Sequence, residues 1–319
     1  MFFFKKSDKK KRVAFLANCQ GGVYKSLLAR DSFFKSKYEI VDLPLVHMLT
    51  TKDIEKVYKL MKSIDILFYQ PLVNSKYEAF FIGNLKKHMP YFSKQISIPV
   101  LYFNFYAPHC IYILPGQLEK FKIEYHDINI LLAWYYKIEK KDLYDRVANI
   151  DFYSNKFLDE ISEINFSRIK ERELKLDIKY HDFLKGIYKE SFLFNTFNHP
   201  KNKVLSHILS EILIKLDINQ KIPEPSKDVL GNIKIAIYPS IQKFCNADID
   251  GTDVIVKRYK VFNENISLES MINYYYDYYD SNKIEIENFV ENNFLKSNDN
   301  IEQLITENFS VKFNIQLKN

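Results

Sequence analysis

Residues 12–22 read Arg12-Val13-Ala14-Phe15-Leu16-Ala17-Asn18-Cys19-Gln20-Gly21-Gly22. A short apolar run rises from a charged flank and stops at a polar triplet followed by two glycines. A run of that length, ended by turn-forming residues, is expected to be a buried strand. Apolar residues at 23, 24, 27, 28 and 33 then follow helical spacing. The alternation continues downstream. Residues 38–43 and 64–69 read as strands, 51–61 as an amphipathic helix capped by a threonine, 76–88 as a helix and 99–105 as a fourth strand. Strands alternating with helices imply βαβ units, a parallel sheet and right-handed crossovers that cover both of its faces. The expected fold class is α/β, a parallel sheet flanked by helices.

Beyond residue 126 the pattern changes. Within the division 127–190 the spacing predicts helices over 127–140, 141–148, 154–174 and 181–194, a helical insert on the α/β core of residues 12–126. Residues 191–219 return to the core and carry Asn198-His199-Pro200 ahead of an amphipathic helix over 202–216. Pro223 and Pro225 mark a break, and 220–319 reads as a mixed α/β region of unassigned role, with strands over 233–238 and 254–261 and helices over 268–279 and 284–295. Tyr274-Tyr275-Tyr276-Asp277-Tyr278-Tyr279 is expected to be a helix packing face. Residues 1–11 form a basic tail, with Phe2-Phe3-Phe4 ahead of the lysines. A secretory signal has the opposite order, charge before the apolar run. The tail is expected to be solvated, or to give a foothold on an anionic membrane surface, where each lysine contributes about 1 kcal/mol.

The chain of 319 residues is 47% hydrophobic and 27% charged, a balance that supports a packed core and excludes a disordered chain. Its net charge is +6, and only six of the 46 basic residues are arginine, which argues against nucleic acid as a partner. Three cysteines, Cys19, Cys110 and Cys245, are too few and odd in number for a disulfide scaffold, so a reducing cytoplasm is expected. The stretch 95–118 lacks Asp, Glu, Lys and Arg but contains Pro99, Pro108 and Pro115, which argues against a membrane-spanning helix.

Chemistry is expected where the first strand ends, because open α/β sheets bind ligands at the carboxyl ends of their strands. Cys19 at a helix start would have its thiolate favoured by the helix dipole. Asn18, Gln20 and the backbone N–H groups of Gly21 and Gly22 could meet a phosphate or an oxyanion. The same pattern also fits a structural cysteine. His199 is the candidate base, since its side chain is poised near neutral pH; it also fits a packed loop histidine. Gln70 and Asn104, at the ends of the third and fourth strands, and Asn198 are candidate substrate or oxyanion contacts, or loop caps. Lys25, Lys201 and Lys203 are candidates for a phosphorylated cofactor. Glu171-Arg172-Glu173, Asp177 and Asp182 read as a solvated helix face. His109 beside Cys110 does not suit ligation of one metal ion, and no metal is expected.

Taken together, the residues resemble the WcbI family of polysaccharide biosynthesis proteins. The resemblance rests on Asn18-Cys19-Gln20-Gly21, Asp65-Ile66-Leu67 with Gln70-Pro71, Ile98-Pro99 with Leu101-Tyr102-Phe103, Arg172-Glu173 with Asp177 and Asp182-Phe183, and Leu193-Phe194 to Asn198-His199-Pro200. It implies a three-layer fold related to the SGNH hydrolases, with coenzyme A or acetyl-CoA as donor. The implied reaction is O-acetyl transfer to a carbohydrate acceptor, a sugar of a surface polysaccharide. Asn18-Cys19-Gln20 stands where SGNH enzymes carry Asp-Ser-Leu, and His199 is the counterpart of their histidine. Ala17 departs from the usual glycine before Asn18, Thr196 from the aspartate three residues before the histidine, and Tyr106-Ala107-Pro108-His109 from an expected His-Pro-Asp. An O-acyl esterase and a non-catalytic protein binding coenzyme A or sugar fit the same residues, the latter in peripheral contact with the cytoplasmic membrane face.

Overall fold

A computed structural model describes residues 9–113, 125–246, 254–255 and 265–317. Most of the basic tail, residues 1–8, and most of the expected strand at 254–261 lie outside the described residues. In chain order, β1 (Lys11–Leu16) leads into α1 (Cys19–Leu28), then α2 (Ser32–Lys37), β2 (Tyr38–Val41), α3 (Ile54–Met61), β3 (Ile66–Tyr69), α4 (Ile82–Leu85) and β4 (Lys94–Ser97). There follow β5 (Cys110–Tyr112), β6 (Tyr125–Asp127), α5 (Ile128–Tyr135), α6 (Lys140–Val147), α7 (Asn155–Glu173) and α8 (His181–Ile187). β7 (Phe194–Thr196), β8 (His199–Pro200), α9 (Asn202–Lys215), α10 (Pro239–Cys245), α11 (Leu268–Ser281), α12 (Lys283–Phe289) and α13 (Asn300–Phe313) complete the chain.

The chain forms two compact units. The first comprises residues 1–101, 169–184 and 202–229; the second comprises 102–168, 185–201 and 230–319.

The first unit is built on a parallel sheet with strand order β2-β1-β3-β4. Its register places Val13 beside Ile66 and Leu16 beside Tyr69. β1 is buried on both faces, with Val13, Ala14, Phe15, Leu16 and Ala17 all at 2% exposure or less, as a strand covered by helices on both sides requires. Ala14, Leu16 and Leu67 join Val57, Met61, Phe80 and Leu85 in one cluster. On the alternate side, Phe15 stacks on Phe68 at 5.0 Å, following the two-residue period of a strand. The strand order reverses between β1 and β3. In such sheets that reversal opens a crevice at the carboxyl ends of the two strands.

Two expected elements differ. The fourth strand is Lys94–Ser97, not residues 99–105. It pairs only with β3, and an edge strand tolerates the polar Lys94 and Gln95. The expected helix over 76–88 is three short pieces, broken where Phe81 turns extended at φ −62°, ψ 142°.

The second unit is mainly helical, with short antiparallel pairs β5–β6 and β7–β8. Its helix α11 buries Tyr275, Tyr276 and Tyr279, so the tyrosine cluster is a packing face. Residues 233–238 are irregular rather than a strand. Among the described residues no helix is long and apolar enough to cross a membrane.

Candidate functional site

β1 ends at Leu16, and Cys19 is the first residue of α1. Asn18 caps that helix: its Oδ1 accepts the Gln20 N–H at 2.9 Å, satisfying one of the donors a helix start leaves open. Cys19 thus sits at the positive end of the α1 dipole. Asn18 and Cys19 are half-buried, whereas Cys110 and Cys245 are 7% and 1% exposed. Burial pushes the Cys245 thiol up to about 12 and raises that of Cys110 as well. Of the three cysteines, Cys19 is thus the least buried.

Gly21 explains how α1 comes so close to its strand. A Cβ there would fall 2.4 Å from the Cβ of Ala17, closer than any real contact, while one on Gly22 would meet only Leu45 at 3.6 Å. Gly21 is a packing requirement first, and its buried position leaves α1 tight against β1.

Gln20 and Gln70 were expected to face substrate; the structure spends both amides inside the protein. Gln20 is 0% exposed and Gln70 2%. The Gln20 Oε1 accepts the Leu101 N–H at 3.0 Å, and its Nε2 donates to the Leu101 carbonyl at 2.8 Å. A side-chain amide here pairs both backbone groups of one residue, as a neighbouring strand would. That is why Leu101 needs no strand partner. Gln70 donates from Nε2 to the Gln20 Oε1 at 3.2 Å and to the Pro99 carbonyl at 3.0 Å. Its Oε1 accepts the Asn18 N–H at 2.9 Å. Both glutamines are positioning residues, and through this lattice the ends of β1 and β3 hold Asn18 and Cys19 in place.

Lys25 is also committed elsewhere. Its Nζ lies 2.7 Å from Asp42 Oδ1 and donates to the Leu43 carbonyl at 3.2 Å, and it lies in the last turn of α1, away from the thiol. Lys203 stands exposed in the first turn of α9, in the first unit. Glu173 corrects the reading of a solvated helix face. It is 4% exposed and accepts the N–H groups of Tyr180 and His181, the latter at 3.2 Å, so it caps the start of α8. It also lines a groove of about 520 Å³ with Asp177, His181 and His207.

Tyr24 is a residue that sequence reasoning missed. It is 0% exposed, and its hydroxyl finds no hydrogen-bond partner among the described residues. Burial pushes its phenol up, and the nearby Cys19 and Tyr180 add to the shift, so it stays neutral beside the thiol. Its aromatic character at helical spacing reads as core, and nothing in the spacing separates the two roles.

The second unit carries the remaining candidates. His199 is half-buried in β8, with the Tyr125 ring 6.5 Å away. Asn198 Oδ1 accepts the Thr196 hydroxyl at 2.8 Å and the Tyr125 hydroxyl at 3.2 Å, so Thr196 orients Asn198. Lys201 is half-buried, and its backbone N–H donates to the Leu193 carbonyl at 2.8 Å. Asn104 is 7% exposed, and its Oδ1 finds no partner among the described residues. The same holds for both amide atoms of Asn195, at 6% exposure in β7. Buried polar atoms are nearly always paired, so each such atom calls for an explanation. Asn195 was not singled out in the sequence, where it is one asparagine among three near His199.

A further cluster lies deeper in this unit. His109 is 0% exposed, with Nε2 3.2 Å from the Ala236 carbonyl and 3.6 Å from Asp127 Oδ2. The Tyr238 ring stacks on the imidazole at 3.9 Å, and its hydroxyl donates to Asp127 Oδ2 at 2.7 Å. Asp127 Oδ1 caps α5 through the N–H groups of Asn129 and Ile130. Burial lowers the pKa of His109 and raises that of Asp127. The partners of His109 lie 18 and 129 positions away, beyond the reach of spacing. Among the described residues no group of three or more His, Cys, Asp or Glu could hold a metal ion.

Comparison with known proteins follows the geometry. The sequence profile of a family described as "Polysaccharide biosynthesis enzyme WcbI" matches residues 12–221, which is 210 of the 319 residues. No curated protein matches the chain. A solved structure is similar over 96% of this chain and 100% of its own, at 18% identity and a TM-score of 0.80. It is described as WcbI, a polysaccharide biosynthesis enzyme, in a native form without the disulfide bond between coenzyme A and one of its cysteines. At that identity the likeness establishes a shared fold.

Proposed function

The chain belongs to the WcbI family of polysaccharide biosynthesis enzymes, and from that premise we propose that it transfers an acyl group, an acetyl group in the simplest case, from coenzyme A to a hydroxyl of a carbohydrate. The observation that carries this reading is the half-buried Cys19 at the start of α1, held at the β1/β3 reversal by the buried amides of Gln20 and Gln70. A half-buried thiol at a helix start, next to backbone braced by neutral amides at the point where the strand order reverses, supports a reactive role over a packing one. That the similar solved structure is described as the form without a disulfide bond between coenzyme A and a cysteine supports coenzyme A as the ligand of such a thiol, and hence as the donor.

In the proposed reaction His199 is the base. It takes the proton of the acceptor hydroxyl as the oxygen attacks the thioester carbonyl, the carbon–sulfur bond breaks, and the coenzyme A thiolate leaves and takes up a proton. In the two-step form, His199 takes the Cys19 proton, the Cys19 sulfur attacks the thioester carbonyl and the coenzyme A thiolate leaves and takes up that proton; the sugar hydroxyl, giving its proton to His199, then displaces Cys19 from the acyl group. Asn18, Asn104 and Asn198 are the proposed contacts for the oxyanion and substrate. Each such donor typically contributes about 2.7–4 kcal/mol to lowering the barrier. The backbone N–H groups at the start of α1 and Lys201 and Lys203 are the proposed contacts for the phosphates of coenzyme A.

The test has two parts. Coenzyme A at 100 times its dissociation constant adds about 2.7 kcal/mol to stability, read as a rise in thermal midpoint. Release of coenzyme A from acetyl-CoA is then measured with and without a carbohydrate acceptor. Acceptor-dependent release, lost in both Cys19→Ser and His199→Ala, supports transfer. Cleavage of an acetylated sugar without coenzyme A would instead make the chain an esterase. Binding of coenzyme A that survives Cys19→Ala, with no turnover, would make it a binding protein.

A further inference from the structure

All four strands of the sheet are parallel, so their starts lie together at the edge opposite Cys19. The crossover helices end at that edge, and helix carboxyl ends favour cations. Lys11 opens β1, Lys37 precedes β2, Lys62 caps the end of α3, and Lys94 opens β4; Lys86 and Lys87 follow α4. All six are exposed. The acids of the strand starts are engaged: Asp65 accepts the Arg12 backbone N–H at 2.7 Å, and Glu39 lies 3.9 Å from the Arg12 guanidinium.

An aromatic tip stands among these cations. The Ser93 N–H donates to the Pro90 carbonyl at 2.9 Å and closes a tight turn, whose two central residues are Tyr91 and Phe92. They are 95% and 91% exposed, and their rings meet edge to face at 5.3 Å. The turn itself is fixed, since Met89 packs on the core before it and Ile96 is buried after it. Folding gives no account of a phenylalanine and a tyrosine held outward on a braced turn. Aromatic rings flanked by lysines match the interface of a bilayer, where the ring enters the headgroup layer and the ammonium groups meet lipid phosphate.

We propose that this edge docks on an anionic lipid bilayer, with Phe92 and Tyr91 inserted and the surrounding lysines over the headgroups. Four strands about 4.8 Å apart span only about 14 Å, so several lysines act within roughly one or two Debye lengths of one another at ordinary salt. Exposed Lys9 and Lys10 enter β1 from the same edge. Docking of this kind leaves the carboxyl edge of the sheet, with Cys19, turned away from the lipid. It does not depend on the proposed acyl transfer.

The test is co-sedimentation of the full chain with phosphatidylcholine vesicles, with and without phosphatidylglycerol. Binding is expected only with the anionic lipid and is expected to weaken with salt. Tyr91→Ser/Phe92→Ser should reduce affinity about tenfold, from the apolar burial lost. Lys86→Glu/Lys87→Glu/Lys94→Glu should reduce it about 100-fold, at about fivefold per lysine. These residues are exposed, so circular dichroism should be unchanged. A Phe92→Trp chain should shift its emission to the blue on binding. The proposal is overturned if the native chain stays in solution with anionic vesicles, or if both variants bind as the native chain does. It is equally overturned if the serine variant changes only self-association in sedimentation velocity, which would make the tip a contact between copies.

Discussion

In the first unit the polar groups beneath the candidate site are neutral amides, Gln20 and Gln70. In the second unit a buried polar cluster is titratable, His109 with Asp127, closed over by Tyr238. Both clusters do the same structural work, tying irregular backbone to regular elements. A neutral amide pairs with backbone at any pH and carries no charge into the interior. A buried carboxyl and imidazole are costly unless each has its partner. The amides that brace Asn18 therefore hold at any pH, whereas the His109–Asp127 cluster is a place where acid should act.

The largest expected effect comes from breaking the titratable cluster. Asp127→Ala leaves the Tyr238 hydroxyl and the first N–H groups of α5 without their acceptor. Removing one partner of such a buried pair costs about 3–5 kcal/mol, read by chemical denaturation. The pH dependence sharpens the point. His109 has its pKa lowered by burial, so the unfolded chain binds that proton more readily. Its contribution is present above the ordinary histidine range and is lost as pH falls through it. Asp127 has its pKa raised, so its ionisation weakens the fold as pH rises above the usual carboxylate range, and acid relieves that cost. The two trends oppose each other in the native chain. In Asp127→Asn the relieving trend is gone and His109 loses the charge that favoured its protonation. The thermal midpoint should then fall more steeply between neutral and mildly acidic pH than in the native chain.

Gln20→Leu should cost less and show no pH dependence. It strands the Leu101 N–H and carbonyl inside the protein, and a buried unpaired group costs about 1–3 kcal/mol. A pH-dependent loss in this variant would break the contrast between the two units.

Gly21→Ala strands no polar group and should cost about 1–3 kcal/mol in all, from forcing a methyl group against Ala17, against that amount for each of the two groups Gln20→Leu strands. Ala17→Gly removes the opposing methyl, so Ala17→Gly/Gly21→Ala should recover much of the loss. A double variant no more stable than Gly21→Ala alone would show that the helix-to-strand contact is limited by something other than these two atoms.

The course of β1 into Cys19 was readable because apolar residues stop abruptly at turn formers, and a buried parallel strand leaves that signature. The fourth strand was not readable. Residues 98–105 are more apolar than Lys94–Ser97, but hydrophobicity measures burial, and Leu101 at their centre has both backbone groups met by a side-chain amide instead of a ladder. The candidate amides were visible as residue types at the rim of the sheet. Whether Gln20 and Gln70 turn toward a ligand or into the protein depends on Leu101 and Pro99, residues some 80 and 30 positions away. His109 was visible as a residue, but its meaning lies in Asp127 and Tyr238, which only the fold brings to it. Gly21 was legible as a glycine near a helix start; that it answers Ala17 requires the crossing distance of α1 over β1.

The proposed function makes Cys19 the reactive thiol and His199 its base, and the rate of alkylation by iodoacetamide as a function of pH, read by peptide mass, tests both together. Cys19 should react well below the pH at which a free thiol ionises, about 8.5, while the buried Cys110 and Cys245 remain unmodified. His199→Ala should move the Cys19 profile to higher pH. An unreactive Cys19, or a profile identical with and without the imidazole of His199, would contradict it.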